Sequence, residues 1–243
     1  MPDDVVLIFT KPPCPGRVKT RLIPAIGEVA ATKLYARLLQ RQIAWIDRET
    51  PYDIELWVTS DSSHPLLQAL ESEYPLSIHL QQGGDLGERM GHAARQALKR
   101  YRRVVLLGVD CPALTAGHLQ QAFGWLRAGE DAVLGPAEDG GYVLLGLNKW
   151  SEQLFQGHQW GAETVAQSTR RAFEAMGWRW RELPLLWDLD RPGDLERLAR
   201  LDLVLHQTYL NQLLGPVNTN PIVPVAPEKA SIKARGERFG SSK

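Results

Sequence analysis

The chain is poor in cysteine. Only Cys14 and Cys111 occur in its 243 residues, too few for a disulfide framework. Both sit in candidate site loops. They could form a reactive pair, but small buried filler is the ordinary role of free cysteine. Long apolar runs are also missing, and none approaches the roughly 18–20 residues of a membrane span. Neither sign of charge is in excess, since 28 Lys and Arg balance 28 Asp and Glu. Nothing therefore suggests a general nucleic-acid or membrane surface. The six histidines lie far apart without metal-ligand spacing, so each reads as structural or exposed. No internal repeat is visible. The opening residues Met1-Pro2-Asp3-Asp4 lack the basic start of a signal peptide. The expectation is a cytoplasmic protein with neither nucleic-acid nor membrane partners.

What is present suits an ordinary soluble core. Hydrophobic residues make up 44% and charged residues 23%. The length fits one large domain, or one domain plus an extension. The most informative stretch is Val104-Val105-Leu106-Leu107-Gly108-Val109-Asp110-Cys111-Pro112. It reads as a parallel strand buried on both faces, stopped by a proline that has no N–H to donate. Asp110 then stands at the carboxyl end of a central strand, the rim where open α/β sheets bind ligands. A carboxylate there can hold a hard metal ion, and the ion can hold phosphate oxygens.

Other strands are expected at Val5–Thr10, Ile54–Thr59, Leu76–Leu80, 131–136, 143–147 and 178–185. Helices are expected at 28–47, where Val29, Leu34, Leu38, Ile43 and Ile46 fall near helical spacing, at 65–70, from Asp85 to about Arg102, from a Thr115 cap to about Arg127, at 162–176, and after Asp190. Trp150–Trp160 is irregular and aromatic. The domain is read as residues 1–204. Residues 205–243 form an extension, and from Gly215 the prolines and small polar residues read as an irregular tail.

The loop Lys11-Pro12-Pro13-Cys14-Pro15-Gly16-Arg17-Val18-Lys19-Thr20-Arg21 carries three prolines and a glycine, which forbid a helix. Its four cations, Lys11, Arg17, Lys19 and Arg21, follow directly on the first strand. They can wrap a polyphosphate, Arg with forked donors and Lys as a point charge. The loop is not a Walker A loop, because that motif's glycine-lysine pair is absent. In Gly83-Gly84-Asp85-Leu86-Gly87-Glu88, the two acids read as a helix cap and its capping-box partner. The three glycines can pack near a nucleotide. Asp139-Gly140-Gly141-Tyr142 is either a close backbone approach to a ligand or a plain Asp-Gly hairpin turn. Asp190 can cap the last helix, which carries Pro192 in its first turn, or serve a metal as a second acid, and the two roles can coexist.

Five segments in order resemble the DUF2064 family, also described as radical-SAM/selenodomain-associated transferase 1, among the small nucleotide-diphospho-sugar transferases of glycosyltransferase A type. They are Lys11–Leu22, Gly84-Asp85-Leu86-Gly87-Glu88-Arg89-Met90, Gly108-Val109-Asp110-Cys111-Pro112, Glu138-Asp139-Gly140-Gly141-Tyr142, and Asp188-Leu189-Asp190-Arg191-Pro192-Gly193-Asp194-Leu195. Together they span about residues 4 to 204. The last departs from the family pattern, with Arg191 and Gly193 where threonine and glutamate are more common.

The resemblance implies a Rossmann-like three-layer α/β/α fold with a mostly parallel, mixed sheet. It implies that Asp110 is the metal-binding aspartate and Asp190 the second ligand, with Asp188 its competitor. The expected cofactor is Mg²⁺ or Mn²⁺. Lys19, Arg21 and Asp110 are expected at the chemistry. Lys11, Arg17, Gly83, Gly84 and Gly87 would hold a nucleotide or nucleotide-sugar. Asp139, Gly140, Gly141 and Tyr142 would face the sugar or a small-molecule acceptor. Nucleotidyl transfer, glycosyl transfer and a non-catalytic nucleotide-binding partner all remain open at this point.

Overall fold

The structure is a computed structural model, and it describes residues 3–204. The expected extension at 205–243 lies outside those residues. Seven strands are present among them: β1 (Asp4–Thr10), β2 (Asp53–Val58), β3 (Leu76–Leu80), β4 (Arg103–Leu107), β5 (Ala132–Pro136), β6 (Tyr142–Leu147) and β7 (Trp180–Glu182). They form one sheet in the order β3-β2-β1-β4-β6-β5-β7. All neighbouring pairs are parallel except those made by β6, which runs antiparallel to both β4 and β5. The exception follows from chain length. Only Ala137–Gly141 separate β5 from β6, enough for a hairpin but not for the crossover a parallel pair needs.

The helices are α1 (Ile23–Ile26), α2 (Glu28–Glu49), α3 (Pro65–Glu73), α4 (Leu86–Ala97), α5 (Ala116–Arg127), α6 (Val165–Ala175) and α7 (Asp194–Val204). The alternation of each central strand sorts its side chains between two cores. Val6, Ile8, Val105 and Leu107 pack with α2, α3, α5 and α7 on one face. Val5, Leu7, Val104 and Leu106 pack with α4 and α6 on the other. The result is three layers, α/β/α, as the resemblance implied. The central strands are apolar on both faces because both are covered.

Three differences from the sequence reading matter. β4 ends at Leu107, so Asp110 lies in the loop beyond the strand rather than at its last position. The short helix α1 was not anticipated. Its Pro24 sits in the first turn, where a missing N–H costs nothing. The late strand shrinks to Trp180–Glu182, because only those residues pair with β5 before the chain passes Pro184.

The strand order fixes where a ligand can go. From β1 the chain first builds outward through β2 and β3, then returns to place β4 on the other side of β1. That reversal opens a crevice beyond the carboxyl ends of β1 and β4. The basic loop leaves β1 and the Asp110 loop leaves β4, so the topology puts them on opposite walls of one cleft.

Candidate active site

The cleft has a volume of about 590 Å³, and Lys11, Arg17, Lys19, Arg21, Asp110 and Asp190 all line it. The four loop cations and the two distant acids thus converge as the sequence reading required. Arg89 of α4 adds a fifth cation, and Thr10, Thr59 and Gln81 provide neutral polar groups.

The basic loop is held in shape from below. The buried Tyr35 hydroxyl accepts the Lys11 N–H at 3.0 Å and shares a hydrogen bond with the Thr10 hydroxyl at 2.9 Å. Burial, with the nearby Asp110 charge, pushes that phenol up to about 12, so it stays neutral. Arg17 N–H donates to the Cys14 carbonyl at 3.1 Å, closing the turn that contains Pro15 and Gly16.

Lys19 differs from its neighbours. It adopts the left-handed conformation (φ 49°, ψ 39°), unusual for a non-glycine residue. Its side chain is 3% exposed and its ammonium lies 2.5 Å from Asp110 Oδ1, while Asp110 itself is half exposed. The ammonium also donates to the Leu189 carbonyl. Leu189 in turn donates its N–H to the Asp110 carbonyl at 2.8 Å. Lys19 is therefore a bolt joining three loops, and Arg17, Lys11 and Arg21 are the exposed cations of the segment. Arg21 pairs with the half-exposed Asp190 carboxylate.

Asp190 does not cap the last helix. Its own N–H and that of Arg191 are taken by the Asp194 carboxylate, at 2.9 and 2.7 Å. The helix starts at Asp194, so the first-turn acid reaches back to the loop and Pro192 precedes the helix. The Asp190 carboxylate is thereby left facing the cleft. On the far side of the buried Leu189, Asp188 lines a second chamber. Its carboxyl is pushed up to about 7, first by burial, then by the neighbouring charges of Asp110 and Asp139. Asp190 adds to this, and Lys19 opposes it.

This second chamber, about 220 Å³, adjoins the cleft and shares Phe9, Leu86 and Gly108 with it. Asp139, Gly141 and Tyr142 line it, with Met90, Trp160 and Val165. The hairpin-turn reading of the Asp139–Gly141 segment holds: Gly140 donates to the Ala137 carbonyl and the Asp139 carboxylate accepts the Gly141 N–H at 2.9 Å. The same turn borders the chamber through Asp139, Gly141 and Tyr142. Gly140 is required for protein packing. Its φ is +85°, and a Cβ there would lie 1.9 Å from the Glu163 carbonyl oxygen.

The glycines of the third segment are placed differently from a nucleotide cradle. Gly83 and Gly84 are exposed, and neither lines the cleft. Gly87 is buried where a Cβ would lie 2.4 Å from the Trp160 indole nitrogen. Its role is close packing of α4 against the aromatic stretch that walls the second chamber. Asp85 and Glu88 cap α4 as read, with one shift: Asp85 accepts from Glu88 N–H, while Glu88 accepts from Gly84 N–H. Cys111 is buried and its thiol pushed up to about 12, mainly by burial, so it packs as filler.

Sequence reasoning missed Tyr35, Gln81, Arg89, Phe9 and Trp160 as site residues. Arg89 lay inside a quoted segment and Trp160 inside the aromatic stretch. Tyr35 lay on a helix stripe read only as core. Among the described residues no three His, Cys, Asp or Glu side chains form a preassembled metal cage. No helix among them is long and apolar enough to cross a membrane.

Comparison with known proteins agrees with the fold. A solved protein from Desulfovibrio desulfuricans G20, provisionally described as a nucleotide-diphospho-sugar transferase, is 33% identical. The match covers 83% of this chain and 88% of that one, at a TM-score of 0.75. A cytidylyltransferase from Leptospira borgpetersenii serovar Hardjo-bovis (strain JB197) shares 12% identity over 84% of this chain and 88% of its own, at 0.54. A CMP:2-keto-3-deoxy-manno-octonic acid synthetase solved with CTP shares 11% over 84% and 99%, at 0.52. The last two are similar in fold alone. No curated protein matches the chain. The family model described as "Uncharacterized protein conserved in bacteria (DUF2064)" matches residues 43–162, which include Asp110, the α4 cap and the Gly140 turn. With those motifs, this fold and a relative of one-third identity over most of both chains, the protein belongs to the DUF2064 family of nucleotide-diphospho-sugar transferase-like proteins.

Proposed function

We propose that the protein is a metal-dependent transferase. Nucleotide phosphates lie in the cleft between the Lys11–Arg21 loop and the Asp110/Asp190 pair, and a nucleotidyl or glycosyl group passes to a small acceptor in the adjoining chamber. Residues 1–204 are the working unit in this reading. The observation that carries it is the convergence of five cations and two half-exposed carboxylates in one cleft beyond β1 and β4.

The acids fit a hard divalent ion. They are oxygen donors, half exposed to solvent, and both line the one cleft. Asp110 and Asp190 would hold Mg²⁺ or Mn²⁺, with Asp188 as the competing ligand. Mg²⁺ commonly uses one or two carboxylates plus phosphates and waters. When bound, the ion would supply neutralisation of charge on a departing phosphate group.

The protein's own part is mostly placement. Lys11, Arg17, Arg21 and Arg89 bind and orient phosphate oxygens. Lys19 fixes the Asp110 loop. Phe9, Tyr142 and Trp160 shield the reacting end from water. The net positive cleft favours nucleotidyl transfer from a triphosphate, whose charge exceeds that of a nucleotide-sugar. The acceptor oxygen or nitrogen would then attack the α-phosphorus and pyrophosphate would leave.

The test is turnover with each nucleoside triphosphate or nucleotide-sugar and a mixed acceptor pool, in Mg²⁺ or Mn²⁺. Pyrophosphate release is expected. Release of nucleoside diphosphate instead would assign glycosyl transfer. Nucleotide binding that ignores metal, with no turnover, would refute the transferase reading and leave a non-catalytic nucleotide-binding partner.

A further inference from the structure

The chamber beside the cleft has a one-sided chemistry that the sequence did not disclose. Its ionisable residues are Asp139, Asp188 and Tyr142, and no Lys, Arg or His among the described residues lines it. Tyr142 is held neutral by burial, and its hydroxyl points at the Met90 sulfur, 3.9 Å away. The rest of the wall is apolar or aromatic, with Phe9, Tyr142 and Trp160 as its rings. Lys11, Arg17, Arg21 and Arg89 line the cleft instead, and Lys19 is buried against Asp110 and the Leu189 carbonyl. Asp188 lines this chamber and Asp190 the cleft, with the fully buried Leu189 between them in the chain, and the charges of Asp110, Asp190 and Lys19 still reach Asp188.

A phosphate or carboxylate in this chamber would face two acids and no donor cation. A cationic head group would meet two acids among aromatic side chains, surroundings that favour ammonium ions. One Asp139 oxygen is committed to the Gly141 N–H, which orients the carboxylate.

We propose that the chamber selects an acceptor of modest size with an apolar body, whose cationic head, a protonated amine or quaternary ammonium, lies between Asp139 and Asp188 as a recognition group, while a separate hydroxyl of the same molecule is the nucleophile and no phosphate enters the chamber itself. This inference rests on the proposed function for the word acceptor, but the binding preference does not depend on turnover.

The experiment uses the full chain and three probes matched in shape: phenethylamine, 2-phenylethanol and phenylacetate. Binding is followed at millimolar concentrations by ligand-observed NMR and tryptophan fluorescence, with and without saturating Mg²⁺. The amine should bind at least roughly tenfold more tightly than the alcohol, a difference of about 1.4 kcal/mol, and phenylacetate should be weakest. Asp139→Asn, an exposed position with little bearing on folding, should lower amine affinity several-fold, and Asp139→Lys should reverse the preference toward phenylacetate.

Equal or better binding of phenylacetate by the unaltered protein would overturn the inference. So would unchanged amine affinity in both Asp139 variants. Displacement of the amine by Mg²⁺ would assign the acids to the metal and overturn it too. Calorimetry of magnesium and a nucleoside triphosphate on the same samples separates the two readings. Normal metal-dependent nucleotide binding with no amine preference defeats the acceptor inference alone. Amine preference without metal-dependent nucleotide binding defeats the proposed function alone.

Discussion

Replacing Asp110 with Asn probes structure and function at once, because its partner is buried. In the native protein the Lys19 ammonium is 3% exposed and lies 2.5 Å from Asp110, with the Leu189 carbonyl as its other partner. The amide removes the compensating charge and leaves the ammonium buried. Breaking a fully buried pair in this way costs about 3–5 kcal/mol, whereas an exposed pair contributes about 0–1 kcal/mol. Asp110 is half exposed, so water can enter from its side, and a loss of about 2 kcal/mol is expected. For a domain of this size that is about 4–8 °C in Tm. The opposite deletion should be milder, because Lys19→Met leaves a carboxylate that water already reaches. The double variant Lys19→Met/Asp110→Asn should recover most of the lost stability, since no unpaired charge remains. It should not recover magnesium-dependent nucleotide binding. Thermal melts and calorimetry with and without Mg²⁺ measure both. An Asp110→Asn protein that melts within 1 °C of native, or keeps its magnesium-dependent affinity, would refute the reasoning.

Four further outcomes are expected. Gly140→Val should cost at least about 2–4 kcal/mol, from a clash with the Glu163 carbonyl at a positive φ, and loss of cooperative melting by circular dichroism is the readout. Arg17→Ala and Arg21→Ala should each weaken triphosphate binding roughly tenfold and flatten its salt dependence, measured by calorimetry at two ionic strengths. Gly87→Ala should push the Trp160 indole away and shift its fluorescence, while nucleotide affinity in the cleft stays close to native. Glu182 is held below its usual carboxylate range chiefly by the hydrogen bond from Arg170, at 2.6 Å. A depressed folded-state value contributes stability above the unfolded value and loses it as pH falls through the folded one. Glu182→Gln should therefore cost under about 1 kcal/mol at pH 7, since both groups are about a third exposed, and the cost should vanish in chemical melts as pH falls through the folded-state value.

The sequence by itself determined the layers and the rim. The short β-branched run Val104–Leu107 reads as a strand covered on both faces, and the stripe of α2 as a covering helix, and the structure has both. It also placed Lys11 and Arg17 on a loop, because proline and glycine there bar a helix, whereas Arg21 falls in a short 3-10 turn at Thr20–Leu22. Which charges remain free was not legible, because pairing depends on distance in space. Lys19 and Arg21 look alike in a basic segment, yet the left-handed turn at Lys19 drives its ammonium under Asp110 while Arg21 stays exposed. Local glycine patterns are ambiguous for a related reason. A glycine signals that something comes close, and only the packed structure reveals that at Gly87 and Gly140 the close object is the protein's own residues 155–163. The division of four acids between the cleft and the adjoining chamber was likewise a tertiary decision. Asp188 lines the chamber and Asp190 the cleft, on either side of the buried Leu189 in the chain. Residue types and their order could not reveal it, since alternation along a chain acquires a direction only once a neighbouring surface fixes which side is inside.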